Sequence, residues 1–277
     1  MKFYHESLPL SHSTALLLRD LIESRTGIHF DESRFELMAD KLSPLVIDRG
    51  FGSFLDYYYL LKYEEKSGEE WDRVADALTV QETFFWREAD QVRALADVIV
   101  PRYFEEGNET LKIWSAACAT GEEPLSIAMA LDERGFFDTF KIEIVATDLS
   151  PAAILHAREG VYRERSLRNL PRHFRERYFT LDGEGWRVRE ELKGRVSWGV
   201  ANILGEEAST LAQATVIFCR NVFIYFAPPN IRRVVAKFYA AMPKPAYLFV
   251  AAAESLLKFT TDFELMEING AFVYVKR

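Results

Sequence analysis

Between Leu111 and Asp148 the chain reads as strand, tight turn, helix and second strand, and this order most narrows the folds open to it. Leu111-Lys112-Ile113-Trp114-Ser115-Ala116 is an apolar run of buried-strand character. A turn of small residues follows, Ala117-Cys118-Ala119-Thr120-Gly121, and Glu122-Glu123-Pro124 then opens a helical pattern through Leu125, Ile127, Ala128, Met129 and Leu131. A second apolar run, Ile142 to Ala146, ends at Thr147-Asp148. In open α/β sheets this unit holds a nucleoside: amides of the turn face the ligand, and an acid at the tip of the second strand accepts from ribose hydroxyls. Asp148 is the candidate ribose acceptor.

The loop chemistry selects the class of ligand. A dinucleotide site needs glycines so that the backbone can approach a pyrophosphate. Here Gly121 is the only glycine, and Glu122 and Glu123 stand where a phosphate would bind. They repel an anion and suit a ligand with an ammonium group. S-adenosylmethionine carries adenosine, an α-ammonium and a sulfonium, and no phosphate. The bland alternative makes both glutamates first-turn acids favoured by the helix dipole, with Pro124 near the first position. It accounts for either acid more easily than for the whole constellation.

A chain of 277 residues allows one large or two ordinary domains. No run approaches the roughly 18 apolar residues of a membrane span, and MKFYHESLPL has no apolar core of a secretion signal. Cys118 and Cys219, far apart, suggest reduced thiols in the cytoplasm. The five histidines are scattered, and no metal site is expected. A net charge of −8 disfavours nucleic acid. Residues 1–80 hold 9 Lys+Arg against 15 Asp+Glu, whereas residues 158–195 hold 11 against 7. That basic island is either a dock for an acidic surface or a solvated arginine-rich face.

Residues 11 to about 71 have helical spacing, with a kink or break expected at Ser43-Pro44, a cap at Ser53 for a helix Phe54 to Tyr63, and a charged linker at Glu64–Glu70. Arg34, Lys41 and Arg49 share roughly one face, interleaved with acids. Trp71 to Leu78 is helical and leads into Thr79–Glu88, whose Phe84-Phe85-Trp86-Arg87 either pack the core or wall a pocket with Thr83 and Arg87 as polar tips. Ser150 caps a helix, Tyr178–Arg189 form a small hairpin, and strands follow at Val196–Val200, Thr215–Cys219 and Ala246–Ala253. Ile231–Met242 is an amphipathic helix, and Phe263–Ile268 and Ala271–Lys276 close the chain as a hairpin. The expected fold is α/β: a doubly wound, Rossmann-like sheet with an antiparallel last strand, behind a small all-helical domain. Ala117–Glu123, Asp148 and Cys219–Tyr225 all lie at strand ends and converge on one pocket.

Four segments in register resemble the chemotaxis receptor methyltransferase family, the CheR-type protein-glutamate O-methyltransferases. They are Glu82–Glu88, Ser115–Pro124, Ala146–Ser150 with the later Gly160-Val161-Tyr162, and Phe218–Phe226. The resemblance implies S-adenosylmethionine-dependent methyl transfer to glutamates on receptor helices, with S-adenosylhomocysteine as product. It implies a helical domain over 1–78, a methyltransferase domain over 79–277 and an inserted β-subdomain at about 172–194. By position, Gln81, Thr83, Arg87, Glu122, Glu123, Asp148, Asn202, Ile203, Arg220 and Asn221 would contact the cofactor, and Arg87 and Tyr225 would flank the reacting centre. The implied partner is the cytoplasmic helical domain of chemoreceptors, met by a monomer that is neither membrane-inserted nor metal-dependent.

Several positions depart from the family pattern. Gln81 replaces the usual asparagine, and Ala251-Ala252-Ala253 precedes Glu254 where glycine, histidine and serine are common. The short hairpin at Asp182–Gly185 argues against docking through a receptor's C-terminal peptide, and the front end lacks a strongly basic helix. A scaffold that has kept the fold, or a small-molecule methyltransferase, are the alternative functions.

Overall fold

The computed structural model describes residues 8–277, so the first seven residues of the stretch read above for a secretion signal lie outside the described residues. Helices His12–Thr26, Phe35–Asp48, Phe54–Tyr59 (continued to Glu64) and Glu69–Leu78 form a bundle around Leu18, Ile22, Met38, Leu42, Tyr57 and Val74. Two expectations fail here. The helix Phe35–Asp48 runs through Pro44 unbroken. The carbonyl that loses its donor belongs to exposed Asp40, while Leu42 and Val46 are locked in the core, so packing outweighs the missing bond. Nor is Glu64–Glu70 simply a linker. Glu70 sits in the second position of its helix, fully buried, and accepts from Tyr57 Oη at 2.7 Å, Arg49 Nε at 2.6 Å and Arg73 at 3.1 Å. Lys41 donates to the carbonyls of Ala77 and Leu78, at the end of the same helix. Two of the three cations placed on one face are therefore tied to the last helix of the bundle, Lys41 at its end and Arg49, at the surface, to Glu70.

A helix over 89–105, not anticipated from the sequence, leads into the sheet. Its strands in chain order are β1 Thr110–Ala116, β2 Lys141–Asp148, β3 Val161–Tyr162, β4 Phe179–Asp182, β5 Gly185–Val188, β6 Val196–Val200, β7 Val216–Phe218, β8 Ala246–Phe249, β9 Glu264–Ile268 and β10 Ala271–Lys276. Seven of them form one sheet in the order β6-β2-β1-β7-β8-β10-β9. β6 to β8 are parallel, and β10 inserts antiparallel between β8 and β9. Alternation along β1 explains why the run is continuously apolar: Leu111 and Ile113 join the core on one face, Trp114 and Ala116 that on the other. Helices Glu122–Glu133 and Pro228–Ala241 cover these opposite faces. Trp114 carries its indole N–H to Thr147 Oγ1 at 2.9 Å, tying β1 to β2 beneath the loop.

A small antiparallel sheet, β3-β5-β4, packs through Tyr162, Phe179 and Val188 against the main core. Its first strand lies upstream of the 172–194 window expected for it. The bundle closes over the carboxyl ends of the parallel strands. His29 N donates to Tyr225 O at 2.8 Å, Asn202 Nδ2 to Arg25 O at 2.6 Å, and Asp76 accepts from Ser150 Oγ and Ala152 N. Gly27 (φ +82°) is needed at this seam, since a Cβ there would stand 2.6 Å from Leu204 and 2.7 Å from Phe226.

Candidate active site

The loop after β1 is strained. Ala117 (φ 61°), Ala119 (φ 50°) and Gly121 (φ 96°) all adopt left-handed backbone, which costs each alanine about 1 kcal/mol. Bonds to β2 hold it: Cys118 N donates to Thr147 O, and Ala119 N to Asp148 Oδ2 at 2.8 Å. Gly121 has no substitute, because a Cβ would meet Ala157 at 2.8 Å and Trp198 at 3.0 Å. The other oxygen of Asp148 accepts from Ser150 N at 2.9 Å. Each oxygen keeps a lone pair for a ligand. Burial pushes the Asp148 carboxyl up, and the amides of Ser150 and Ala119 and the Gln81 side chain partly offset it.

Two chambers meet at this loop. The first, with about 670 Å³ of space, is mainly apolar: Ile28, Leu78, Val80, Leu149, Ile203 and Phe226 wall it, with Asp148, Asn221 and Tyr225 among its polar members. The second, of about 530 Å³, is polar and lined by Thr83, Arg87, Glu123, Ser126 and Arg220. Val80, Ala117, Ala119 and Asn221 belong to both. An apolar slot beside a ribose-type acceptor, joined to a chamber of mixed charge, fits adenosine followed by an amino-acid zwitterion.

The polar chamber is organised by Arg220, only 7% exposed. Its Nη2 donates to Arg87 O at 2.6 Å, and its Nε lies 3.3 Å from Glu88 and 3.4 Å from Glu123. Glu123 also accepts from Ser115 Oγ at 2.6 Å. Burial pushes Glu123 up, and Arg220 opposes this. Gln81 Oε1 is buried without a hydrogen-bond partner, so the apolar chamber offers a spare acceptor, while Arg220 Nε makes no hydrogen bond and faces the two carboxylates at ion-pair distance. Arg87 reaches Glu82 O at 3.1 Å and lies 5.6 Å from the Phe84 ring. Burial raises the Cys118 thiol well above its ordinary value, leaving it neutral at pH 7.

The residues singled out from the sequence do not all behave alike. Gln81, Thr83, Arg87, Glu123, Asp148, Asn202, Ile203, Arg220, Asn221 and Tyr225 line the paired chambers. Glu122 does not. It is buried on the other side of the loop, accepts from Thr120 Oγ1 at 2.6 Å and faces a separate cleft. The amide of Asn202 is spent on Arg25 O and Leu204 N, so it positions the wall. Sequence reasoning missed Thr26 and Ile28, which bring the bundle into the wall. It noted Glu254 behind Ala251-Ala252-Ala253 but gave it no role; Glu254 is 6% exposed and accepts from Asn221 N, Val222 N and Ala251 N at 2.7–3.0 Å, fixing the loop that carries Asn221 and Tyr225. A lone glutamate inside an apolar stretch was the available signal.

Known proteins share this plan. Residues 81–272 match the family model for the CheR methyltransferase SAM binding domain, and residues 16–79 that for the CheR methyltransferase all-alpha domain. Chemotaxis protein methyltransferase 1 of Vibrio cholerae is 34% identical over 91% of this chain and 93% of its own. Chemotaxis protein methyltransferase 2 of the same organism is 31% identical over 93% and 91%, and the Borreliella burgdorferi chemotaxis protein methyltransferase 32% over 85% and 86%. Magnesium protoporphyrin IX methyltransferase from Synechocystis, solved with bound SAM, aligns over 97% of this chain with a TM-score of 0.35 and 10% identity, too slight a likeness to bear on the reading. On the two family matches and these relatives, the chain belongs to the CheR methyltransferase family and is an S-adenosylmethionine-dependent methyltransferase.

Proposed function

We propose that the chain methylates glutamate side chains on the cytoplasmic helical domain of chemoreceptors, acting as a monomer in the cytoplasm. The receptor class follows the names of its relatives, which are chemotaxis methyltransferases. The apolar chamber would hold the adenosine, with Asp148 as acceptor for its ribose hydroxyls and Leu149 and Ile203 among the apolar walls. The polar chamber would hold the amino-acid end, with Glu123 to take its ammonium and Arg220 its carboxylate. Thr83 and Gln81 complete the wall between them.

When bound, the cofactor supplies a methyl group on a sulfonium: the substrate oxygen bonds to that carbon as the C–S bond breaks, and the electron pair stays on sulfur. A glutamate carboxylate is ionised at neutral pH, so the protein needs no general base. Its task is alignment and desolvation. Arg87, in the polar chamber, holds the incoming carboxylate by charge-assisted bonds. Tyr225, in the adjoining chamber, packs at the reacting centre. Neither exchanges a proton.

The observation that carries this reading is the junction of an apolar slot under Asp148 with an Arg87–Glu123–Arg220 chamber around one strained loop. The test is transfer of a labelled methyl group from S-adenosylmethionine to a chemoreceptor cytoplasmic fragment. A carboxyl methyl ester releases its label as methanol in alkali. Label that survives alkali, or no label on the fragment, refutes the assignment.

A further inference from the structure

Beside the polar chamber lies a third and larger cleft with about 1380 Å³ of space. Val80, Glu82 and Thr83 line both, so a segment lying in the cleft passes the residues next to Arg87. Its outer wall is the short helical turn Glu164–Leu167 with its flanks, carrying Arg163, Arg165 and Arg168. Four other arginines of this basic island are neutralised locally, Arg172 by Glu176, Arg175 by Glu164, Arg177 by Asp132 and Arg187 by Asp182, whereas Arg158, Arg189 and Arg195 are unpaired among the described residues but do not line this cleft. Arg163, Arg165 and Arg168 are exposed and form no ion pair among the described residues. Two acids share the cleft. Glu122 is buried, closed off by Thr120, and pushed up by burial; Glu82 stands at the inner edge.

One of these arginines is tied to the edge of the polar chamber. The Arg168 guanidinium lies 3.7 Å from the centre of the Phe84 ring and donates to Arg165 O at 2.9 Å. Arg87 lies against the same ring. Phe84 thus joins the outer cations to the inner one. The helical bundle is a poor competitor for an acidic partner, since residues 1–80 carry a net −6, Lys41 is bonded to the carbonyls of Ala77 and Leu78, and Arg49 is paired with Glu70.

Resting on the methyl-transfer reading above, we propose that Arg163, Arg165 and Arg168 seat the acidic side chains that flank the target glutamate on a helical protein substrate. On a helix, acids one turn away lie about 5 Å from the target residue, and Arg168 and Arg87 lie against one ring, Phe84, so an acid beside the target comes near the outer arginines. Exposed charges of this kind act on encounter and register, and salt weakens them.

The test uses Arg163→Glu/Arg165→Glu, whose guanidiniums make no hydrogen bond among the described residues. KM for a chemoreceptor cytoplasmic fragment is expected to rise about tenfold, with the dissociation constant for S-adenosylmethionine held within about twofold. On a fragment whose acids one turn either side of the target are changed to glutamine, wild type and variant should differ by no more than about twofold. Equal KM values on the unaltered fragment overturn the proposal, as does a gap of the same size on both fragments. No transfer to either fragment by the wild type sinks the receptor reading and this proposal together; transfer with unchanged KM sinks this proposal alone.

Discussion

Arg87 has few duties to the fold: a bond to the Glu82 carbonyl and an edge of Phe84. Arg87→Ala should therefore cut kcat by about 100-fold, the scale set by losing an oriented carboxylate clamp, while the thermal midpoint stays close to wild type. Parallel loss of both would make the side chain structural. Asp148 and Glu123 titrate differently from surface acids because burial raises both. In the proposed binding mode they would take ribose and ammonium best when ionised, so cofactor affinity should fall as pH drops, starting above the ordinary carboxylate range. Calorimetric titration across mildly acidic pH checks this, and a flat profile contradicts it. The sign for the apoprotein is opposite: the folded state holds these protons more tightly than the unfolded chain, so this share of stability is lost as pH rises through the folded values. Asp148 was legible in the sequence because it closes an apolar strand that follows a turn. Glu254 was not, because its bonds to the amides of residues 221–222 exist only once two distant strand ends lie side by side.

Among the elements, the turn after β1 could be recognised from small residues, yet its three left-handed positions could not, since two of them are alanines. The bonds to Thr147 and Asp148 that impose this geometry come from a neighbouring strand. The same limit applies to Pro44, where a local rule yielded to core packing at Leu42 and Val46. It applies again at Glu70, which resembles its solvated neighbours in sequence and is the buried centre of four groups in the fold: its own carboxylate, Tyr57, Arg49 and Arg73. Glu70→Ala should destabilise the protein by about 2 to 3 kcal/mol, below the range for a fully buried pair because both guanidiniums reach water. Urea denaturation measures it. A change under about 0.5 kcal/mol would place the network among surface pairs.

At the level of the whole molecule, the alternation of strands and helices made the sheet readable, and the reversed β10 followed from the closing hairpin. Readable periodicity, though, says nothing of which faces meet between units. The bundle supplies Thr26 and Ile28 to the apolar chamber and is pinned there by Arg25, His29 and Asp76, so a cofactor held as proposed would touch both halves of the chain. The most direct test of this cleft is calorimetric titration of S-adenosylmethionine into the wild type and Asp148→Ala. The wild type should bind one equivalent, and the variant should lose at least about 30-fold in affinity, as expected when a charged acceptor of ribose hydroxyls is removed. Equal affinities in the two proteins would contradict the account.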